Sequence, residues 1–185
     1  MPERQALLRT ERGLLIASAC LGAIVGLLAI LLPKALTLSA DDPNPEEVWE
    51  FVQHVAAHEG LDPGFVYAII HAESSLNPRA KSNVARGMMQ LTRGAWETVS
   101  DEPYRRAWNW RTNIEVGIAY LAYCRNRLQR ADQFSYAMLA AAYRYGPNHV
   151  RNRGYDFSQI NQPRNRIYIE LFSGNTRPIP PPGAS

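Results

Sequence analysis

The chain has 185 residues, 46% of them hydrophobic, enough for one domain with a sizeable core and some accessory segments. Its net charge of +3 is small, and residues 1–40 contribute Arg4, Arg9, Arg12 and Lys34 against Glu3 and Glu11, which leaves 16 basic and 15 acidic groups in residues 41–185. That balance lacks the positive excess of a nucleic-acid binder. Cys20 lies in an apolar N-terminal run and Cys124 in a predicted helix, so residues 41–185 hold no intrachain disulfide framework. Cys124 reads as a small buried hydrophobe.

Gly13 to Leu32 is uncharged and almost wholly apolar. As a helix it would span roughly 30 Å, the hydrocarbon thickness of a bilayer. The arginines before it favour a cytoplasmic N-terminus. A cleaved signal has a shorter apolar region, about 7–15 residues, so the expectation is an uncleaved anchor. The segments are then a cytoplasmic N-terminus (1–12), a transmembrane helix (13–32) and a linker (33–44), with the remainder outside the cytoplasm. Ala17-Ser18-Ala19-Cys20 is a weaker match to a lipoprotein box, since Ala17 stands where Leu is usual.

From Asn44 onward the elements read as helices. Asn44-Pro45-Glu46-Glu47 supplies a cap, a proline for the first turn and acids for the positive helix end. Val48, Phe51, Val52 and Val55 follow as an apolar stripe that Gly60 closes. The pattern predicts further helices from Asp62-Pro63 to Ser74, after Thr92 around Trp96, from about Asn113 to Gln129, from Asp132 to Tyr145, and from near Pro163 through Phe172. Gly146-Pro147 reads as a stop. There is no convincing period-2 strand, so the fold class is mainly α. Residues 173–185, rich in Pro, Gly and Ser, are expected to be a disordered tail.

In the second helix Val66, Ile69, Ile70 and Glu73 share i, i+3, i+4, i+7 spacing, so Glu73 continues an apolar stripe. A carboxyl group in apolar surroundings resists ionisation, as does one near a helix C-terminus. A raised pKa is what a general acid near neutral pH requires. The pattern alone favours Glu73 turning to water at the helix end. His54 and His58 have i, i+4 spacing but no evident third ligand, which favours a solvated face over a zinc site; no metal or cofactor is expected. His149 lies near Arg151 and Arg153, a basic cluster suited to an anionic glycan or to solvation.

Several motifs in order narrow the reading. Glu73-Ser74-Ser75-Leu76-Asn77-Pro78 is followed by Arg86-Gly87-Met88-Met89-Gln90-Leu91-Thr92. Asn113-Ile114 with Gly117, Tyr120 and Leu121 comes next, then Ala142-Tyr143-Arg144-Tyr145-Gly146-Pro147, then Pro163, Arg166 and Tyr168. Over roughly residues 45–172 this resembles the catalytic domain of the soluble-lytic-transglycosylase (SLT) family. That family has Glu-Ser, Gly-Leu-Met-Gln, Asn-Ile…Gly…Tyr-Leu, Ala-Tyr-Asn-Ala-Gly-Pro and Pro-Glu-Thr-Arg-x-Tyr in this order. Met88 replaces the usual Leu, the loop from Ser82 to Gly87 is one residue short, Arg144 stands for Asn, and Arg164 stands for Glu. The two arginines are expected to alter far subsites rather than the acid.

The resemblance implies a lysozyme-like (goose-type) helical domain acting on the β-1,4 bond from N-acetylmuramic acid to N-acetylglucosamine in peptidoglycan. It implies Glu73 as sole acid and base, with 1,6-anhydro ends as product. Ser74, Ser82, Gly87, Met88, Met89, Gln90, Tyr143 and Tyr168 are the implied substrate-binding residues. Ser74 could instead cap its helix, Gly87 could be a simple turn glycine, and the two tyrosines could be core aromatics. If the segment is extended, Met88 and Met89 point opposite ways, one to the cleft and one to the core. The expected partners are the glycan strand and, through the N-terminal helix, the bacterial inner membrane, with the catalytic domain in the periplasm and room for an envelope-machinery partner. A hydrolytic muramidase and an inactive peptidoglycan-binding module are the rival functions.

Overall fold

The protein is described here by a computed structural model covering residues 42–183. The expected cytoplasmic N-terminus, membrane anchor and most of the linker lie outside the described residues. No helix among the described residues is long and apolar enough to cross a membrane.

Helix α1 (Pro45–His58) starts at a reciprocal cap: the Asn44 side chain accepts from the Glu47 N–H at 2.8 Å, and the Glu47 carboxylate accepts from the Asn44 N–H at 3.2 Å. It ends before Gly60, whose φ is +64°. Helix α2 (Pro63–Ser74) is capped by Asp62, which accepts from the Gly64 and Phe65 N–H groups. Every residue from Gly64 to Ile70 is buried. The helix is therefore a core helix rather than an amphipathic one with a single apolar stripe.

A two-stranded antiparallel hairpin follows, β1 (Ala85–Arg86) and β2 (Leu91–Thr92), with Ala85 opposite Thr92 and Arg86 opposite Leu91. Two residues per strand are too few for alternation to register in the sequence, which is why no strand was expected here. Thr92 then caps α3 (Arg93–Val99), and a 3₁₀ turn (Tyr104–Trp108) leads into the long helix α4 (Trp110–Arg130).

Helix α4 begins three residues before the expected Asn113 because the Asn109 side chain accepts from the Thr112 N–H at 3.0 Å. Helix α5 (Tyr136–Tyr145) begins four residues later than expected. Ser135 is its cap, while Asp132 sits at φ +56° in the turn that leaves α4. Gly146-Pro147 does stop α5, yet Pro147 also opens a short helix α6 (Pro147–Asn152) at its first position, where a missing N–H costs nothing. After a 3₁₀ turn (Phe157–Gln159), α7 (Arg166–Phe172) is capped by Asn165 and so starts three residues beyond the expected Pro163.

The core is built around α2 and α4. Ile114, Ile118, Leu121, Cys124 and Leu128 of α4 are buried, Cys124 as a free thiol pushed up to about 12 by burial. Helix α1 packs on α2 and α4, and α7 lies across both α2 and α5. That last arrangement brings the C-terminal turn of α2, the last turn of α5 and the middle of α7 together. Beyond α7 the chain returns to the body: Arg177 pairs with the capping carboxylate of Asp62 at 2.6 Å, and Ile179 packs against the core.

Candidate active site

A cleft of about 450 Å³ opens beside Glu73, a volume in the range of small-ligand sites. Its walls come from the hairpin (Ser82, Val84, Ala85, Gln90, Leu91, Thr92), from Ala95 and Tyr120, and from Tyr143 to Gly146 at the end of α5. Glu73 is the sole acidic side chain among the described residues that line it.

Glu73 occupies the penultimate position of α2, with its side chain 15% exposed. After Ser74 ends the helix, Ser75 and Leu76 both have positive φ (53° and 65°), an uncommon pair for non-glycine residues that turns the chain away. Burial raises the Glu73 carboxyl above the usual range, while the Tyr168 hydroxyl and the Arg144 cation pull it part of the way back. The contacts are asymmetric. Oε1 accepts from the Tyr168 hydroxyl of α7 and faces Nη1 of Arg144 of α5 at 3.8 Å. Among the described residues Oε2 has no hydrogen-bond partner, so it is the oxygen available to a ligand.

Tyr168 is completely buried, and burial together with the neighbouring Glu73 charge holds its hydroxyl far above its ordinary pKa, so it stays a donor. Asn165 fixes its helix: the side-chain oxygen accepts from the Ile167 and Tyr168 N–H groups, and the amide donates to the Ala72 carbonyl in α2 at 3.2 Å. One residue thus caps α7 and ties it to the turn of α2 that carries Glu73.

The hairpin turn is suspended from buried polar groups. Asn113, fully buried in α4, accepts from the Met89 N–H at 2.8 Å and donates to the Arg86 and Ala107 carbonyls, each at 3.1 Å. Tyr143 donates to the Met89 carbonyl at 2.7 Å, and Tyr104 to the Leu91 carbonyl at 2.7 Å. Gln90, at φ +46°, donates from its side chain to the Gly87 carbonyl and lines the cleft.

Of the residues expected to bind substrate, Ser82, Gln90 and Tyr143 line the cleft beside Glu73. Tyr168 contacts Glu73 from beneath, whereas Tyr143 holds the Met89 carbonyl. Met88 and Met89 are both fully buried, because the segment turns rather than running extended, and the expected division between cleft and core does not arise. Met89 instead packs against Gly117, where a side chain would collide with its sulfur. Gly87 has φ +78° and passes so close to Asn113 and the Ala107 carbonyl that no Cβ fits, so its close approach is to the protein itself. Ser74 donates back to the Ile70 carbonyl at 3.3 Å within its own helix.

Arg144 is the main correction. Far from acting at a remote subsite, its guanidinium lies 4.5 Å from the Tyr168 ring centroid and 3.8 Å from the acid. Arg164 is exposed. His54 and His58 meet edge to face on an exposed face, and no group of three potential metal ligands occurs among the described residues. His149 stacks on Tyr145, with its ring centroid 5.3 Å away. Sequence reading missed Asn113 and Asn165 as positioning residues; Asn113 is itself a motif residue and Asn165 stands beside one, but only the fold reveals which carbonyls they reach.

Comparison with known proteins settles the family. A sequence model described as the transglycosylase SLT domain matches residues 50–162, more than half of the chain. The chain belongs to the SLT transglycosylase domain family. The membrane-bound lytic murein transglycosylase F of Desulfosudis oleivorans is 32% identical over 104 residues, 55% of this chain and 22% of that protein. The transglycosylase of Enterobacteria phage PRD1 is 30% identical over 141 residues, 74% of this chain and 48% of that protein. Among solved structures, an inactive mutant of lytic transglycosylase Slt from Pseudomonas aeruginosa matches with a TM-score of 0.50 and 26% identity, covering 69% of this chain and 21% of that one. The chain therefore spans less than half the length of these relatives. Its own SLT domain is mainly α and lysozyme-like, with the hairpin as the β component.

Proposed function

We propose that this chain is a peptidoglycan lytic transglycosylase that cuts the β-1,4 bond between N-acetylmuramic acid and N-acetylglucosamine without water. The observation that carries the reading is the solitary acid: a glycosidase of the ordinary kind needs two carboxylates flanking the bond, and Glu73 is the only one among the described residues that line the cleft. Its raised pKa suits proton donation near neutrality. Oε2 delivers the proton to the leaving oxygen as the C1–O4 bond breaks, with the sugar's own acetamido group assisting at C1. Glu73, now a carboxylate stabilised by Tyr168 and Arg144, then takes the proton from the C6 hydroxyl as O6 bonds to C1. The net result is a 1,6-anhydro ring, with one proton moved from O6 to O4 and no cofactor consumed. The apolar run at 13–32 and the arginines before it support an inner-membrane anchor with the catalytic domain in the periplasm.

The test is a digest of purified peptidoglycan with the full chain and with Glu73→Gln, read by mass spectrometry. Anhydro-ended products from the wild type alone are expected. Reducing ends would make it a hydrolase, and binding without products from either protein would make it a binding module.

A further inference from the structure

We propose that Arg144 is a carboxylate-binding subsite within the cleft, selecting muramic-acid units whose 3-O-lactyl group is a free carboxylate, as on strands stripped of their peptides. This rests on the reading of the cleft as a peptidoglycan glycan site.

The guanidinium is held in place by aromatic faces, 4.5 Å from the Tyr168 centroid and 5.7 Å from that of Tyr145. Its side chain is 31% exposed and lines the cleft. Glu73 is its sole ionic partner among the described residues, and 3.8 Å is too long for a direct hydrogen bond. The guanidinium's other polar contact is with the Tyr145 side chain, so most of its fork of donors is available to a planar anion.

Charge balance supplies the rest of the argument. Proton donation requires Glu73 in its neutral form, and in that form Arg144 has no anion beside it. A ligand carboxylate would fill the gap and draw the cation away from Glu73, so that binding and protonation favour each other. Tyr143 and Tyr168, which also face this pair, are buried with their hydroxyls held far above their ordinary pKa, and Tyr145 covers the guanidinium as an aromatic face. Muramic acid carries such a group on the same sugar whose C1–O4 bond breaks. With a stem peptide attached the lactyl carbonyl is a neutral amide, and with the peptide removed it is a carboxylate. Charge-assisted hydrogen bonds exceed neutral ones by enough to predict about tenfold tighter binding of the free acid.

The experiment uses the full chain with Glu73→Gln, which arrests turnover and mimics the neutral acid. Calorimetry compares three glycan oligomers: peptide-free, peptide-bearing, and peptide-free with the lactyl carboxylates converted to methylamides. The expected result is about tenfold tighter binding of the first than of either other, with the preference lost on adding Arg144→Asn and partly kept with Arg144→Lys. Equal binding of the free acid and the methylamide, with the oligomers bound, overturns the subsite and leaves the enzymatic reading intact. Failure to bind any oligomer overturns both.

Discussion

Replacing Asn113 by Ala should damage the protein out of proportion to the few atoms removed. The side chain is fully buried and makes three hydrogen bonds: it accepts from the Met89 N–H and donates to the Arg86 and Ala107 carbonyls. Truncation leaves a buried donor at Met89, a buried acceptor at Ala107 and a part-buried one at Arg86, the buried ones costing about 1–3 kcal/mol each when unsatisfied. A water entering the vacated space would recover part of this, so the expected loss is about 3–5 kcal/mol. For a domain of this size that lowers Tm by about 10–15 °C. Urea unfolding and thermal melts followed by circular dichroism measure it. Asn113→Asp is the informative companion. It keeps the acceptor for Met89 but turns an oxygen toward two carbonyls, so at neutral pH it should cost at least as much as alanine. Because the introduced carboxyl would be buried and its protonated form can donate, its deficit should shrink as pH falls. An alanine loss below about 1 kcal/mol, or an aspartate variant tolerated at neutral pH, would refute the view that Asn113 suspends the hairpin turn.

Glu73→Gln should be more stable than the wild type at high pH. The folded pKa of Glu73 is raised, so its stabilising contribution is present below the unfolded value and lost as pH rises through the folded one. The Tm difference between the two proteins should therefore grow in favour of Gln from acid to alkaline pH, and a constant difference would contradict the burial argument. Tyr168→Phe removes a donor that favours the carboxylate, so the Glu73 titration, followed by carbon NMR of the carboxyl, should move further up; a downward shift would sink that assignment. Gly117→Ala forces a methyl group into the Met89 sulfur, which should cost about 1–3 kcal/mol by overpacking, partly relieved by adding Met89→Ala and read from paired denaturation curves. Arg177→Ala should leave activity intact and lower stability only slightly, since the Arg177 side chain is 64% exposed and its ion pair is screened by water. That contribution should fade at acid pH, because the pair keeps the Asp62 pKa below its ordinary value and its stabilisation is lost as pH falls through that lowered value.

Much of the helical layout was legible because its signals are local. Asn44, Pro45 and Gly60 mark the limits of α1, Asp62 caps α2, and Thr92 caps α3. Boundaries slipped where two caps competed. Asp132 and Ser135 can both start a helix, and the turn closing α4 claims the first of them. The hairpin escaped because its strands are two residues long, held by side chains from α4 and α5 that are 24 and 54 positions away. Glu73 stood out by its apolar spacing together with the order of the motifs after it, and the spacing was an incomplete reason: α2 is buried around its whole circumference up to Ile70. Met88 and Met89 were misjudged because the face of a turn residue depends on φ, and Gly87 and Gln90 both have positive φ.

Arg144 shows why a motif departure cannot be weighed from position alone. Three helices converge at Glu73, and their influences on its charge oppose one another. Helix α2 buries the carboxyl near a helix C-terminus, which disfavours ionisation. Helix α7 offers the Tyr168 hydroxyl, and α5 offers the Arg144 cation; both favour ionisation. A reaction in which one residue first gives and then takes a proton needs both forms within reach, and opposing influences of this kind bring them closer together. The two stabilising groups act on Oε1, so a proton is better accommodated on Oε2, the oxygen left to the ligand. A neutral amide at position 144 would leave Tyr168 to stabilise the carboxylate without a cation. The arginine therefore bears on the acid itself, and the ligand's own charge becomes a variable in how readily the acid is protonated.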